Sequence, residues 1–168
     1  AFMAPTEILA EQHYLKLRDW LAPLGIAPVW LSGSLKKKEK QLAAERIASG
    51  ETLLAIGTHA LFQEQVSFQR LGLAIVDEQH KFGVQQRLAL RNKGTEPHQL
   101  MMSATPIPRT LAMSYYADLD VSVIDELPPG RTPVVTKLAS DARRDEVFER
   151  VRAACMDGLQ AYWVCPLI

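Results

Sequence analysis

Asp77 and Glu78 stand side by side at the end of a short apolar run, Leu73 to Val76, with Gln79 and His80 directly behind them. A brief, continuously apolar run of this kind is read as a strand buried on both faces in the middle of a parallel sheet. The two acids then sit at its carboxyl end, the edge where open α/β sheets bind ligands. Two carboxylates there can divide the work of nucleotide hydrolysis: one holds Mg²⁺, and the other orients or deprotonates a water for in-line attack on a phosphate. Taken alone, an Asp-Glu pair reads more readily as a solvated strand end, because such pairs are common by chance.

A second stretch changes that balance. Ser103-Ala104-Thr105-Pro106-Ile107-Pro108-Arg109-Thr110 follows another apolar run, Leu100 to Met102, about one βα unit downstream. It puts two hydroxyls and a stiff, proline-rich turn at the end of a second central strand. In this order, DEQH and SATPIPRT resemble motifs II and III of the superfamily-two helicases. The longer strings VDEQHKFGVQQR and SATPIPRTLAM resemble the bacterial fork-remodelling DNA translocases of that superfamily, and the resemblance extends over the whole chain.

The resemblance implies roles for particular residues. Asp77 would coordinate the Mg²⁺ that bridges the β- and γ-phosphates of ATP, and Glu78 would polarise the attacking water. Gln79 and His80 would sense the γ-phosphate and relay its state to Ser103, Ala104 and Thr105, which couple the nucleotide site to DNA. APTEILAEQ, Ala4 to Gln12, matches motif Ia, and Gly57-Thr58-His59 matches motif Ib. Pro5, Thr6, Gly57, Thr58 and His59 thereby become candidate contacts to the DNA backbone. Glycine admits a close approach of backbone N–H to phosphate, and a threonine hydroxyl can add a hydrogen bond. Arg109 has no counterpart among the family's transition-state arginines and reads as structural.

The elements that must position these residues alternate along the chain. Ala1 to Pro5 is expected as a strand. Thr6 then caps a helix whose inner face is Leu17, Trp20, Leu21 and Leu24, ended by Pro23 and Gly25. Pro28 to Leu31 is a second strand. Ser34 caps a helix facing inward with Leu35, Leu42, Ala43 and Ile47 and stopping at Gly50. Lys36, Lys37 and Lys38 fall in its first turn, where the macrodipole disfavours cations, and read as a solvated face with a phosphate contact left open. Thr52 to Ile56 is a third strand. Gln85 to Arg91 and Thr110 to Tyr116 are expected as helices, and Leu119 to Ile124 as a strand. Glu126 to Pro133 concentrates prolines and glycine, the strongest boundary signal in the sequence. Beyond it come a strand at Val134 to Leu138, a cap at Ser140, a helix with Val147, Val151 and Cys155 inward, a stop at Gly158 and a strand at Ala161 to Cys165.

This alternation predicts an α/β fold with a doubly wound parallel sheet flanked by helices. The resemblance makes it a RecA-like sheet of the P-loop NTPase fold: residues 1–128 an incomplete first motor domain, and 129–168 the linker and beginning of a second. Because the chain opens and closes on expected strands, it reads as a fragment of a longer protein.

Composition sets limits on function. The 168 residues are 48% hydrophobic and 23% charged, with a formal net charge of +0. That is ordinary globular composition, so contacts with branched or duplex DNA must be local. Cys155 and Cys165 are expected as buried, reduced thiols, with no disulfide framework and no structural metal. The four histidines form no HExxH or other close ligand spacing, and His13 and His98 read as surface or packing residues. No apolar run approaches the ~20 residues of a membrane span, and a cytoplasmic, nucleoid-associated monomer is expected.

One absence is informative. The sequence holds no G-x-x-x-x-G-K-[ST], the loop that cradles phosphates. The 168 residues by themselves are therefore expected not to hydrolyse ATP, while a parent protein with ATP and Mg²⁺ would remodel stalled forks and Holliday junctions in recombination and repair. The alternatives are a transcription-repair coupling translocase, which typically has glutamate where Gln79 stands, and a non-catalytic nucleic-acid-binding module.

Overall fold

The structure, a computed structural model, describes residues 1–83, 93–94, 96–105 and 120–165. The helices expected at Gln85 to Arg91 and Thr110 to Tyr116, together with Pro106, Pro108 and Arg109, lie outside these residues.

The chain divides into two compact units, Ala1–Asp118 and Leu119–Ile168. The first contains strands β1 (Phe2–Met3), β2 (Val29–Leu31), β3 (Ala55–Gly57), β4 (Leu73–Val76) and β5 (His98–Met101), with helices α1 (Glu7–Leu21) and α2 (Lys37–Ala48). The strands form one sheet in the order β2-β3-β1-β4-β5, and every pairing is parallel.

Alternation along the strands sends successive side chains to opposite faces, and each face has its own helix. Phe2 and Trp30 meet α1, with the Phe2 and His13 rings 4.5 Å apart and Tyr14 and Trp30 5.6 Å apart. On the other face Met3, Val29, Leu31, Ala55, Ala74 and Val76 form one core with Ala43 and Ile47 of α2. The doubly wound sheet expected from the alternating pattern is therefore what the first unit builds. The strand order reverses between β1 and β4: β3 and β2 lie on one side of that line and β5 on the other. Crevices at such switch points are where α/β sheets bind ligands.

Some local expectations need correction. Thr6 caps α1, its hydroxyl accepting from Leu9 N–H, but the buried face is set by Ala10 and the rings of His13 and Tyr14. Trp20 and Leu24 are exposed, and Trp20 is roofed by the Lys16 ammonium 4.9 Å above its ring. Leu17 and Leu21 are half-buried on that face, as expected, but the stripe is narrower than the sequence implies, because packing on the sheet covers it without reaching Trp20. α2 is capped by Lys36 and not Ser34. Ser34 is engaged elsewhere, and the Lys36 amide instead donates to the Glu39 carboxylate at 3.0 Å. Leu42 of α2 is exposed while Ala43 and Ile47 are buried. β4 is buried on one face only: Ala74 and Val76 are covered, whereas Leu73 and Ile75 border an open recess of about 750 Å³.

The second unit contains a 3₁₀ turn, Asp141–Arg143, running into helix α3 (Arg144–Met156), and Gly158 closes that helix at φ 87°. Residues 120–124, Val134 to Leu138 and Ala161 to Cys165 carry no strand. Strand formation depends on a hydrogen-bonded neighbour as well as on side-chain type. None of the described residues of this unit is buried, and both cysteines are exposed rather than buried. Glu126 to Pro133, where the sequence sets the boundary at about Pro129, lies within the second unit.

Candidate nucleotide and nucleic-acid site at the carboxyl edge of the sheet

In a parallel sheet all carboxyl ends lie on one edge, so the segment leaving each strand must emerge there. Here β1 delivers Ala4, Pro5 and Thr6; β2 delivers Ser32 to Ser34; β3 delivers Thr58 and His59. β4 delivers Asp77 to His80, and β5 delivers Met102 to Thr105. The candidate residues, scattered from Pro5 to Thr105, thus share one rim.

The acidic end of the rim is tightly organised. The Asp77 amide donates to Met3 O at 2.8 Å, Met102 N–H donates to Val76 O at 2.8 Å, and Gln79 N–H donates to Met102 O at 3.0 Å. The backbone is therefore fixed from both neighbouring strands. Glu78 adopts left-handed geometry, φ 50° and ψ 47°, ahead of a 3₁₀ turn at Gln79–Lys81. For a non-glycine residue this conformation costs roughly 1–2 kcal/mol. Such a turn breaks the strand's alternation just where the two carboxylates stand, and its strain is of the kind found at functional sites.

His80 is the hub of the cluster. Its Nδ1 lies 3.3 Å from a Glu78 carboxylate oxygen, 3.2 Å from Ser103 Oγ and 3.5 Å from Thr105 Oγ1. The two hydroxyls are 2.9 Å apart, and Ser103 Oγ accepts the Thr105 amide at 3.2 Å. Ala104, between them, is exposed. One ring nitrogen, Nδ1, thus lies against Glu78 and against both hydroxyls of the Ser-Ala-Thr turn. The side-chain carbonyl oxygen of Gln79 is buried without a partner.

Asp77 suits a hard cation but does not enclose one. No group of three His, Cys, Asp or Glu side chains among the described residues could hold a metal. One or two carboxylates are what a protein ordinarily contributes to Mg²⁺, which keeps waters and substrate phosphates as its other ligands. One Asp77 oxygen accepts the Glu78 amide at 2.9 Å, and the other lies 2.8 Å from His13 Nε2. His13 was expected to be a surface or packing residue; the structure places it against the acid. Nothing in residue spacing could have signalled this, because the contact joins α1 to the end of β4.

The other end of the rim collects the candidate DNA contacts. Thr6 and His59 are exposed. Thr58 is buried, with its hydroxyl unpartnered and its amide donating to Leu31 O at 3.2 Å. At Gly57 an added Cβ would lie 1.8 Å from Leu31 O, so close packing of β3 against β2 itself demands glycine. Glu7 sits among these groups and accepts the Ser34 amide at 3.0 Å. The Ser34 hydroxyl and amide hold its carboxyl below the usual range against an opposing effect of burial, with smaller lowering contributions from the Ser32 hydroxyl and the neighbouring His59. The sequence marks Ser34 only as a helix cap and gives Ser32 and Gly33 no role; the position of this loop after β2 is what places it on the rim.

Comparison with known proteins agrees with this arrangement. The DEAD/DEAH box helicase family matches residues 1–114. The ATP-dependent DNA helicase RecG of Escherichia coli O127:H6 is 62% identical over 100% of this chain and 25% of its own length. RecG of Borreliella burgdorferi is 51% identical over 100% of this chain and 24% of its own. The chain therefore spans about a quarter of the length of these curated relatives. The structure of RecG bound to a three-way DNA junction superposes with a TM-score of 0.77 at 47% identity, covering 99% of this chain and 22% of that one. The sheet is thus the RecA-like sheet of the helicases, and the chain belongs to the DEAD/DEAH box helicase family.

Proposed function

We propose that this chain is the catalytic-edge portion of an ATP-driven DNA helicase or translocase that remodels stalled forks and Holliday junctions in recombination and repair. The observation that carries the reading is the His80 cluster, in which one imidazole touches Glu78, Ser103 and Thr105. Branched DNA as the partner is supported by the relative solved on a three-way DNA junction.

In this reading residues 1–128 belong to a first RecA-like motor domain, and 129–168 lead into a second. Bound MgATP supplies the phosphoanhydride whose hydrolysis drives the motor. Asp77 offers a carboxylate oxygen to the cation. Glu78 accepts a hydrogen bond from the attacking water and aligns it, and its left-handed backbone turns the carboxylate away from the strand direction. Gln79 and His80 report the state of the phosphates, His80 by shifting its hydrogen bonds between Glu78 and the Ser103–Thr105 turn. Pro5, Thr6, Gly57, Thr58 and His59 line the strand ends facing the DNA backbone, with Thr6 and His59 as direct contacts and Gly57 and Thr58 supporting the loop. The 168 residues alone do not turn ATP over, since they contain no G-x-x-x-x-G-K-[ST]. The whole protein acts as a cytoplasmic, nucleoid-associated monomer; among the described residues no helix is long and apolar enough to cross a membrane.

The test is ATP hydrolysis by the full-length protein carrying this chain, measured with forked DNA, linear duplex and no DNA, beside Glu78→Gln. Turnover stimulated most by the fork and lost in the variant is expected. Turnover indifferent to DNA structure would move the reading to a general or transcription-coupled translocase. A folded protein with no turnover would leave a non-catalytic binding module.

A further inference from the structure

We propose that His13 is a positioning residue for Asp77, through which helix α1 sets the orientation of the carboxylate that meets Mg²⁺; this rests on the functional reading above. His13 Nε2 and Asp77 Oδ2 are 2.8 Å apart, both side chains being mostly covered, with 28% and 19% exposed. An ionised carboxylate only accepts hydrogen bonds, so the Nε2–H donates. The ring is held from behind by Phe2, 4.5 Å centre to centre at 44°, and Phe2 is itself buried in β1. The imidazole therefore has little freedom to leave the carboxylate.

The Asp77 carboxylate is fixed at both oxygens. Oδ1 takes the Glu78 amide at 2.9 Å, a bond within its own turn, and Oδ2 takes His13, the bond that, among the described residues, reaches another element. Without His13 the carboxylate keeps one local bond and can rotate about χ2. Groups that orient a metal-binding carboxylate typically change metal affinity by about 10–100-fold when removed.

The pair also spans the β1/β4 line where the strand order reverses. α1 is capped by Thr6, a candidate DNA contact, and His13 lies seven residues on from that cap, roughly 10 Å along the helix axis at about 1.5 Å per residue. A rigid helix thus has one end on the DNA rim and a side chain on the nucleotide acid. This connection is separate from the His80–Ser103–Thr105 cluster.

The experiment compares the full-length protein with its His13→Ala and His13→Gln variants, using ADP with Mg²⁺ as the binding probe. Glutamine keeps an N–H donor at similar reach but not the aromatic ring. His13→Ala is expected to weaken Mg²⁺-dependent ADP binding about tenfold and to raise the Mg²⁺ concentration for half-maximal turnover similarly, with kcat largely restored at saturating Mg²⁺. His13→Gln should recover most of the binding. In an Asp77→Asn background His13→Ala should make no further difference. Unfolding without nucleotide separates orientation from folding. Unaltered Mg²⁺ dependence in His13→Ala overturns the proposal. So does a loss that tracks lowered melting temperature in both variants. A wild-type protein that neither binds MgADP nor hydrolyses ATP overturns the functional reading and takes this inference with it, whereas an active wild type with an indifferent His13→Ala overturns this inference alone.

Discussion

At the residue scale, Glu78 is where backbone and chemistry pull in different directions. Its φ of 50° is a conformation that glycine adopts freely. Replacing it with glycine relieves left-handed strain of about 1 kcal/mol, while the looser unfolded chain costs about 0.5–1 kcal/mol. Glu78→Gly in the full-length protein is therefore expected to keep its stability within about 0.5 kcal/mol in denaturant unfolding and to lose ATP turnover. A large loss of stability would mean that the Glu78 side chain holds the turn through His80. Gly57 behaves oppositely. A Cβ 1.8 Å from Leu31 O requires β2 and β3 to separate, and overpacking of this sort costs about 1–3 kcal/mol. Gly57→Ala is expected to lower stability by about 1–3 kcal/mol by the same measurement, before any effect on DNA. The motif Ib glycine was legible as a special position from sequence; its steric cause was not.

At the element scale, Glu7 ties the start of α1 to the loop after β2 through the Ser34 amide. Its carboxyl is held below its ordinary value of 4.5, chiefly by the Ser34 hydroxyl and amide. A lowered folded value means that the stabilisation is fully present above the unfolded value and disappears as pH falls through the folded one. The wild-type chain should therefore lose stability on acidification from about pH 4.5 downward more steeply than Glu7→Gln. Identical acid limbs in thermal unfolding would remove Glu7 from the account. The same bond shows why Ser34 does not cap α2: its amide is committed to Glu7 and its hydroxyl lies 2.9 Å from Ser32 Oγ. A serine before a helical pattern is a fair sign of a cap, but which serine or lysine closes the turn depends on a partner 27 residues away in sequence.

For the whole molecule, the proposed DNA contacts run through a rim of hydroxyls and amides, which neutralise no phosphate and so release few counterions. Thr6→Ala in the full-length protein is expected to weaken DNA binding without changing its salt dependence. Any of Lys36, Lys37 or Lys38 that reaches a phosphate should, when changed to Ala, reduce the slope of log K against log salt by about 0.9. Unchanged slopes for all three would return that cluster to a solvated face. Local stability should also differ between the two units. β1 and β3 are buried and paired, and β4 is paired on both sides, whereas Val135, Leu138 and Tyr162 are 78%, 100% and 93% exposed. In the 168-residue chain, hydrogen exchange should be slow at Met3, Ile56 and Val76 and fast through Val134 to Leu138 and Ala161 to Cys165. Protection of those two segments would show that they form strands in solution.

The sequence by itself determined the kind of fold and the chemical vocabulary. Short apolar runs alternating with helical patterns, punctuated by glycine and proline, specify parallel strands joined by helices, and such strands deliver their following residues to one edge. DEQH, SAT and GTH could therefore be assigned to a common rim before any coordinates. What only the tertiary structure decided was burial and partnership: Ala10 inward and Trp20 outward on α1, Thr58 buried while His59 is open, Glu7 bound to Ser34, and His13 on Asp77. Local propensity depends on neighbours a few residues apart, which a sequence displays. These contacts join segments that only the closing of the sheet brings together, and His13 and Asp77, on different elements of one sheet edge, meet for that reason alone.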